Sequence, residues 1–120
     1  DPLWSRGLGD VYKRQVDESS AIAGGALLLG GTVIGRGVEV GGGARVEESV
    51  IFDGVQIEAG ATVERCVIGA GVRIGARAHL VDCVIGEGAV IGARCELRDG
   101  LRVWPGVTLP DGGVRFSSDI

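Results

Sequence analysis

Four lines of equal length carry the reading: IGRGVEVGGGARVEESV (Ile34–Val50), IFDGVQIEAGATVERCV (Ile51–Val67), IGAGVRIGARAHLVDCV (Ile68–Val84) and IGEGAVIGARCELRDGL (Ile85–Leu101). Aligned in this way, the aliphatic residues fall into three columns. Ile34, Ile51, Ile68 and Ile85 form the first, Val40, Ile57, Ile74 and Ile91 the second, and Val46, Val63, Leu80 and Leu97 the third. The steps along the chain are six, six and five, so three of them sum to 17 residues. A helix would place apolar residues three and four apart, and an amphipathic strand two apart. A period near six fits a short strand followed by a turn, three times per coil, and a hexapeptide period points to a parallel β-helix.

Coils of this kind stack as parallel strands about 4.8 Å apart, with the aliphatic at each strand centre pointing inward. A second apolar series lies four residues after the first. It includes Val38, Ala44 and Val50, and its third column runs Val33, Val50, Val67, Val84. The middle column, Ala44, Ala61, Ala78 and Cys95, is small throughout. The expectation is that this whole second series fills the corners of the coil from inside. Gly37, Gly54, Gly71 and Gly88 form an unbroken column, and only glycine takes a positive φ without steric cost, so a turn is expected there on every coil.

Residues 1–15 stand apart. Asp10–Gln15 back-translates to the transposon-end sequence used in preparing sequencing libraries, and Ser5–Gly9 continues the same adapter in frame. This segment is read as a translated adapter, expected to be disordered, and is set aside from the fold. It holds three of the 12 basic residues and two of the 16 acidic ones, which leaves nine and 14, net −5, and no lysine. On this reading the native part is expected to begin mid-gene at Val16. An acidic chain without basic clusters argues against nucleic acid, whose binding rests on lysine and arginine at phosphate. No apolar run approaches the ~20 residues of a membrane span.

One domain, 16–120, is expected. Residues 16–33 read as an irregular first coil, with Val16 in the Val33 column, Leu29 in the Val46 column, Leu27 in the Ala44 column and Ile22 one place out of register. Residues 34–101 are the regular coils. In 102–120, Val103, Val107 and Leu109 extend a further coil, Val114–Phe116 reads as a last short strand, and Trp104 and Phe116 are placed as a lid over the open end. An uncovered end would expose a strand edge.

Few side chains offer chemistry. His79 is the single histidine, and it precedes inward Leu80, so it points outward beside Arg45, Thr62 and Glu96. Hexapeptide acyltransferases use a histidine base in a pocket completed by an extending loop, and the unbroken spacing leaves no such loop here. Carbonic anhydrases of this fold need three histidines. Cys66 and Cys83 stack on adjacent coils and Cys95 sits among the small residues. Three cysteines in two columns do not supply the four ligands of a zinc site, and they read as small buried fillers, although a Cys66–Cys83 disulfide is possible at one strand spacing. Glu48, Arg65 and Asp82 stack with alternating charge as a surface ladder. Gly41–Gly43 has no following lysine, so a phosphate loop is unsupported. No residue of this chain is assigned a catalytic, cofactor-binding or metal role. Phe52 protrudes from a column otherwise made of Gly35, Gly69 and Gly86, as a contact for the missing domain or another subunit.

The columns, together with Arg102-Val103-Trp104-Pro105-Gly106-Val107 and Leu109-Pro110-Asp111-Gly112-Gly113-Val114-Arg115-Phe116-Ser117-Ser118-Asp119, carry a resemblance. Over Val16–Ile120 the chain resembles the C-terminal hexapeptide-repeat domain of bacterial, actinobacterial-type mannose-1-phosphate guanylyltransferases, a family of sugar-nucleotide pyrophosphorylases. The resemblance implies an all-β, single-stranded left-handed parallel β-helix of about five three-sided coils. The handedness comes from the resemblance alone, because crossovers are ordinarily right-handed. It also implies an N-terminal nucleotidyltransferase domain, absent here, that would hold Mg and GTP and make GDP-mannose and pyrophosphate from GTP and mannose 1-phosphate. The β-helix would serve structure and homo-oligomer assembly in a cytoplasmic enzyme. A glucose-1-phosphate nucleotidyltransferase, or an acyltransferase using acyl-CoA, are the alternatives.

Overall fold

The computed structural model describes residues 15–114. All but Gln15 of the adapter segment, and Arg115 and Phe116 of the expected last strand and lid, lie outside the described residues. Within them the chain winds as a three-sided parallel β-helix. One side is a sheet of six strands, Gln15–Val16, Val33–Ile34, Val50–Ile51, Val67–Ile68, Val84–Ile85 and Arg102–Val103. The second has six, Ala21–Ile22, Glu39–Val40, Gln56–Ile57, Arg73–Ile74, Val90–Ile91 and Thr108–Leu109. The third has five, Leu27–Leu29, Arg45–Glu47, Thr62–Glu64, His79–Val81 and Glu96–Leu97. Every pairing is parallel and joins one coil to the next, as in Ile51 with Ile68 and Ile68 with Ile85.

The three aliphatic columns form the core. Ile51, Ile68, Ile74, Leu80, Ile85, Ile91 and Leu97 are fully buried. Burying each such side chain is worth roughly 1.5–3 kcal/mol, so a stack of identical residues holds neighbouring coils in register. Gly37, Gly54, Gly71 and Gly88 have φ of 61–72°, the left-handed turn expected of that column. Gly69 and Gly86 have a different reason to be glycine: a Cβ there would come within 2.7 Å of the Glu87 nitrogen and 2.5 Å of the Pro105 nitrogen on the next coil.

Two corners behave as expected, with Val38, Val55 and Val72 filling one and Ala44, Ala61, Ala78 and Cys95 the other. The third does not. Val33, Val67 and Val84 point outward, 37–44% exposed, and Thr32, Ser49, Cys66 and Cys83 are buried in their place. The cause is a single residue in the left-handed conformation just before each: Glu48, Arg65 and Asp82 have φ of 49°, 51° and 57°. That turn takes one residue fewer than the others, which is why the third step is five and why the corner position falls one place earlier.

The first coil is complete, with a strand on each side, and departs from the later coils in its length. Val16 pairs with Ile34, Ile22 with Val40 and Leu28 with Val46, so Val16, Ile22 and Leu28 continue the columns and Leu27 lies beside Arg45. Its coil has 18 residues because Gly30-Gly31 makes a longer turn at the third corner, Gly31 having φ 81°. Asp99-Gly100 repeats this at the other end, with φ of 62° and 81°. Val103 and Leu109 enter the sheets as predicted. Val114 forms no strand, although its carbonyl accepts a hydrogen bond from the Glu96 nitrogen at 2.7 Å. Trp104 is 78% exposed, so it lies on the outer surface and does not close the end of the stack.

Candidate functional site

His79 lies on the outward side of its strand, exposed, with Thr62 and Glu96 opposite it on the neighbouring coils. Its backbone nitrogen donates to the Cys95 carbonyl at 2.8 Å, an ordinary ladder bond. Among the described residues no loop interrupts the coils on either side of it. A general base needs a substrate held within hydrogen-bond reach, and this flat face offers only the side chains of one sheet.

The cysteines are free and buried. Cys66 Sγ donates to the Glu64 carbonyl at 3.2 Å and Cys83 Sγ to the Val81 carbonyl at 3.1 Å. The Cys83 nitrogen in turn donates to Cys66 Sγ at 3.4 Å. Hydrogen bonding to Cys66 and burial both push the Cys83 thiol up, so it stays protonated. These thiols are corner fillers and backbone partners. Among the described residues, no group of three or more His, Cys, Asp or Glu side chains is placed to hold a metal ion.

The Glu48, Arg65, Asp82 column contains one firm ion pair. Arg65 Nε and Nη2 donate to Asp82 Oδ1 and Oδ2 at 2.8 and 3.3 Å. That contact holds the Asp82 carboxyl below its ordinary value. Both partners are about half exposed, so the pair adds little stability. Exposed pairs Arg73–Glu58 and Arg45–Glu47 are of the same kind.

The feature that sequence reading placed wrongly is the outer surface of the first sheet. Val33, Val50, Val67 and Val84 run down it, and Phe52, 49% exposed, stands at its edge. The same positions on the second sheet are Ala21, Glu39, Gln56, Arg73, Val90 and Thr108, mostly polar. The signal was present: each valine immediately precedes an inward isoleucine, and neighbouring strand residues face opposite ways. The alternation that turns His79 outward beside Leu80 turns these valines outward beside their isoleucines.

The family described as "GMPPB C-terminal domain" matches residues 11–117. The chain belongs to this family. The match begins inside the segment read as adapter. A mannose-1-phosphate guanylyltransferase of Mycobacterium tuberculosis is 62% identical over 112 residues, which are 93% of this chain and 31% of that protein. The chain thus spans about a third of the length of that relative. Among solved structures, the acetyltransferase domain of PglB from Neisseria gonorrhoeae, in complex with acetyl coenzyme A, is similar with a TM-score of 0.66. It is 30% identical, and the match covers 87% of this chain and 49% of that one. For a member of the GMPPB C-terminal domain family the fold is the left-handed β-helix that the resemblance implied. No helix among the described residues is long and apolar enough to cross a membrane.

Proposed function

We propose that this chain is the structural and assembly domain of a cytoplasmic mannose-1-phosphate guanylyltransferase. The observation that carries the reading is 62% identity to such an enzyme across 93% of the chain. In the whole protein, an N-terminal nucleotidyltransferase domain holds GTP and Mg and joins the nucleotide to mannose 1-phosphate, releasing pyrophosphate. Such chemistry needs carboxylates for the metal and basic groups around phosphates on one face. In the β-helix the charges are dispersed around the coils, and the described residues contain no lysine. The β-helix supplies no residue to the transfer and serves to join copies and position the catalytic domain.

The test is recovery of the upstream coding sequence and assay of the full protein with several sugar phosphates and nucleotides. Pyrophosphate release from GTP with mannose 1-phosphate is expected, and none from the chain alone. A preference for glucose 1-phosphate overturns the sugar assignment.

The likeness to an acetyl-coenzyme-A-bound domain favours one second reading, acyl transfer. CoA-dependent acetylation by the chain, abolished by His79→Ala, would establish it. The exposed imidazole and the absence of an intervening loop support the first reading.

A further inference from the structure

We infer that the valine face of the first sheet is a two-fold dimer interface, in which a second copy packs against it with its helix axis antiparallel. This rests on the assembly role proposed above and adds the face and the geometry.

Four valines stack on four successive coils of this face, ending at Arg102, whereas the other two faces carry scattered apolar residues, such as Val90 on one and Leu27 on the other, among polar ones. Val33, Val67 and Val84 are 37–44% exposed, Val50 lies between them, and Phe52 projects beside them. The centre of the six-strand sheet falls between Val50–Ile51 and Val67–Ile68. A two-fold axis in the interface, running along the strands through that centre, exchanges these two strands between copies. Val50 then lies over Val67 of the second copy, and Val33 over Val84. Phe52 lies over the second copy's Gly69, the corner position where a side chain is missing.

The charges at the two edges of the face select this arrangement. On the edge after the strands, Arg36 of one copy meets Glu87 of the other, and the symmetry makes the contact twice. On the edge before the strands, Glu48 meets Arg65 in the same reciprocal way. All four side chains are exposed. The alternative two-fold, along the helix axis, keeps each coil at its own height and reverses the strands. It sets Asp53 against Glu48 and Glu87 against Asp82, like charges in both cases. Like charges across an interface suppress the wrong pairing.

The size of the face sets the strength. Six strands about 4.8 Å apart, each about 16 Å wide with its corners, bury about 400 Å² per partner. A standard stable interface buries about 800 Å² per partner, so the β-helix alone associates weakly.

The experiment is sedimentation equilibrium of the chain from about 1 μM to about 1 mM. A reversible dimer is expected. Val67→Glu, Arg36→Glu and Glu87→Arg each weaken it about tenfold or more, because each puts unpaired or like charge into the contact. The deciding measurement mixes Arg36→Glu with Glu87→Arg. In the antiparallel dimer the two altered chains complement each other at both copies of the Arg36–Glu87 contact, so the mixture regains the dimer that neither forms alone. Arg36 and Glu87 are exposed, so this arm holds even if Val67→Glu fails to fold. A chain that is monomeric throughout, a trimer, or a mixture that does not recover each overturns the interface. The guanylyltransferase reading is decided by its own assay on the full protein, so either can fail alone.

Discussion

The Cys66 nitrogen donates to Ser49 Oγ at 3.0 Å across adjacent coils. Ser49 Oγ donates in turn to the Glu47 carbonyl at 2.8 Å, and the next coil repeats the pattern with Cys83 nitrogen on Cys66 Sγ. Position 49 and its equivalents are buried, so their backbone nitrogens have no access to water. The short third turn removes the carbonyl that would have accepted these bonds, and a hydroxyl or thiol replaces it. This explains why polar Ser49 sits in an otherwise apolar interior, where the hydroxyl of buried Thr32 donates to the Val46 carbonyl at 3.3 Å.

Replacement of Ser49 by alanine leaves the Cys66 nitrogen unpaired in the core, at a cost of about 1–3 kcal/mol. Cys66→Ser keeps an acceptor for the Cys83 nitrogen and is expected to cost less than Cys66→Ala. Urea unfolding of the three variants measures the order; equal loss from both Cys66 variants would remove the ladder as the reason for these residues.

Ile74 lies mid-stack, fully buried between Ile57 and Ile91, while Arg73 beside it faces water. Ile74→Asp buries a carboxylate without a partner and is expected to cost several kcal/mol, in the range of roughly 2–7 for an unpaired polar group. Arg73→Asp loses the exposed ion pair with Glu58 and costs about 1 kcal/mol at most. Thermal melts that shift equally would show the inward columns to be misassigned.

Arg94 has φ 61°, in a column where Gly43 and Gly60 have φ 74°. The left-handed conformation costs a non-glycine residue roughly 1–2 kcal/mol, and glycine gives part of that back through greater freedom when unfolded. Arg94→Gly is expected to gain up to about 1 kcal/mol, and Arg94→Val, β-branched, to lose stability. A stabilising valine would contradict the backbone assignment.

Asp82 contributes pH-dependent stability through Arg65. Its folded pKa lies below the ordinary 3.8, so the contribution is present above 3.8 and is lost as pH falls through the folded value. Carboxylate titration followed by NMR is expected to show the Asp82 pKa rising toward 3.8 in Arg65→Ala. An unchanged midpoint would mean the pair does not persist in solution.

Deletion of residues 1–15 tests the adapter reading, Gln15 being the one residue of the segment in a described strand, paired with Val33. The melting temperature is expected to stay unchanged, since the core columns begin at Val16. A clear loss of stability would assign the segment to the folded domain.

What the sequence determined by itself was the winding: a strand every five or six residues, three sides, and the inward columns from Ile34 to Leu97. Each of those features is local and repeated, so a single aliphatic at a strand centre predicts its equivalents 17 residues away. The direction of His79 was also legible, because it precedes inward Leu80 on the same strand. Tertiary structure alone decided the third corner and the first coil. Whether Val67 or Cys66 turns inward depends on Arg65 adopting a left-handed φ, which an arginine does not advertise as a glycine does. The 18-residue first coil is set by stacking: Leu28, not Leu29, reaches Val46 because Gly30-Gly31 takes up one extra residue before Ile34 rejoins its column. The outward direction of the valines follows from the inward isoleucine beside each, and the packed coils add that these side chains are left 37–44% exposed at Val33, Val67 and Val84, because the left-handed turn puts Thr32, Ser49, Cys66 and Cys83 in the corner.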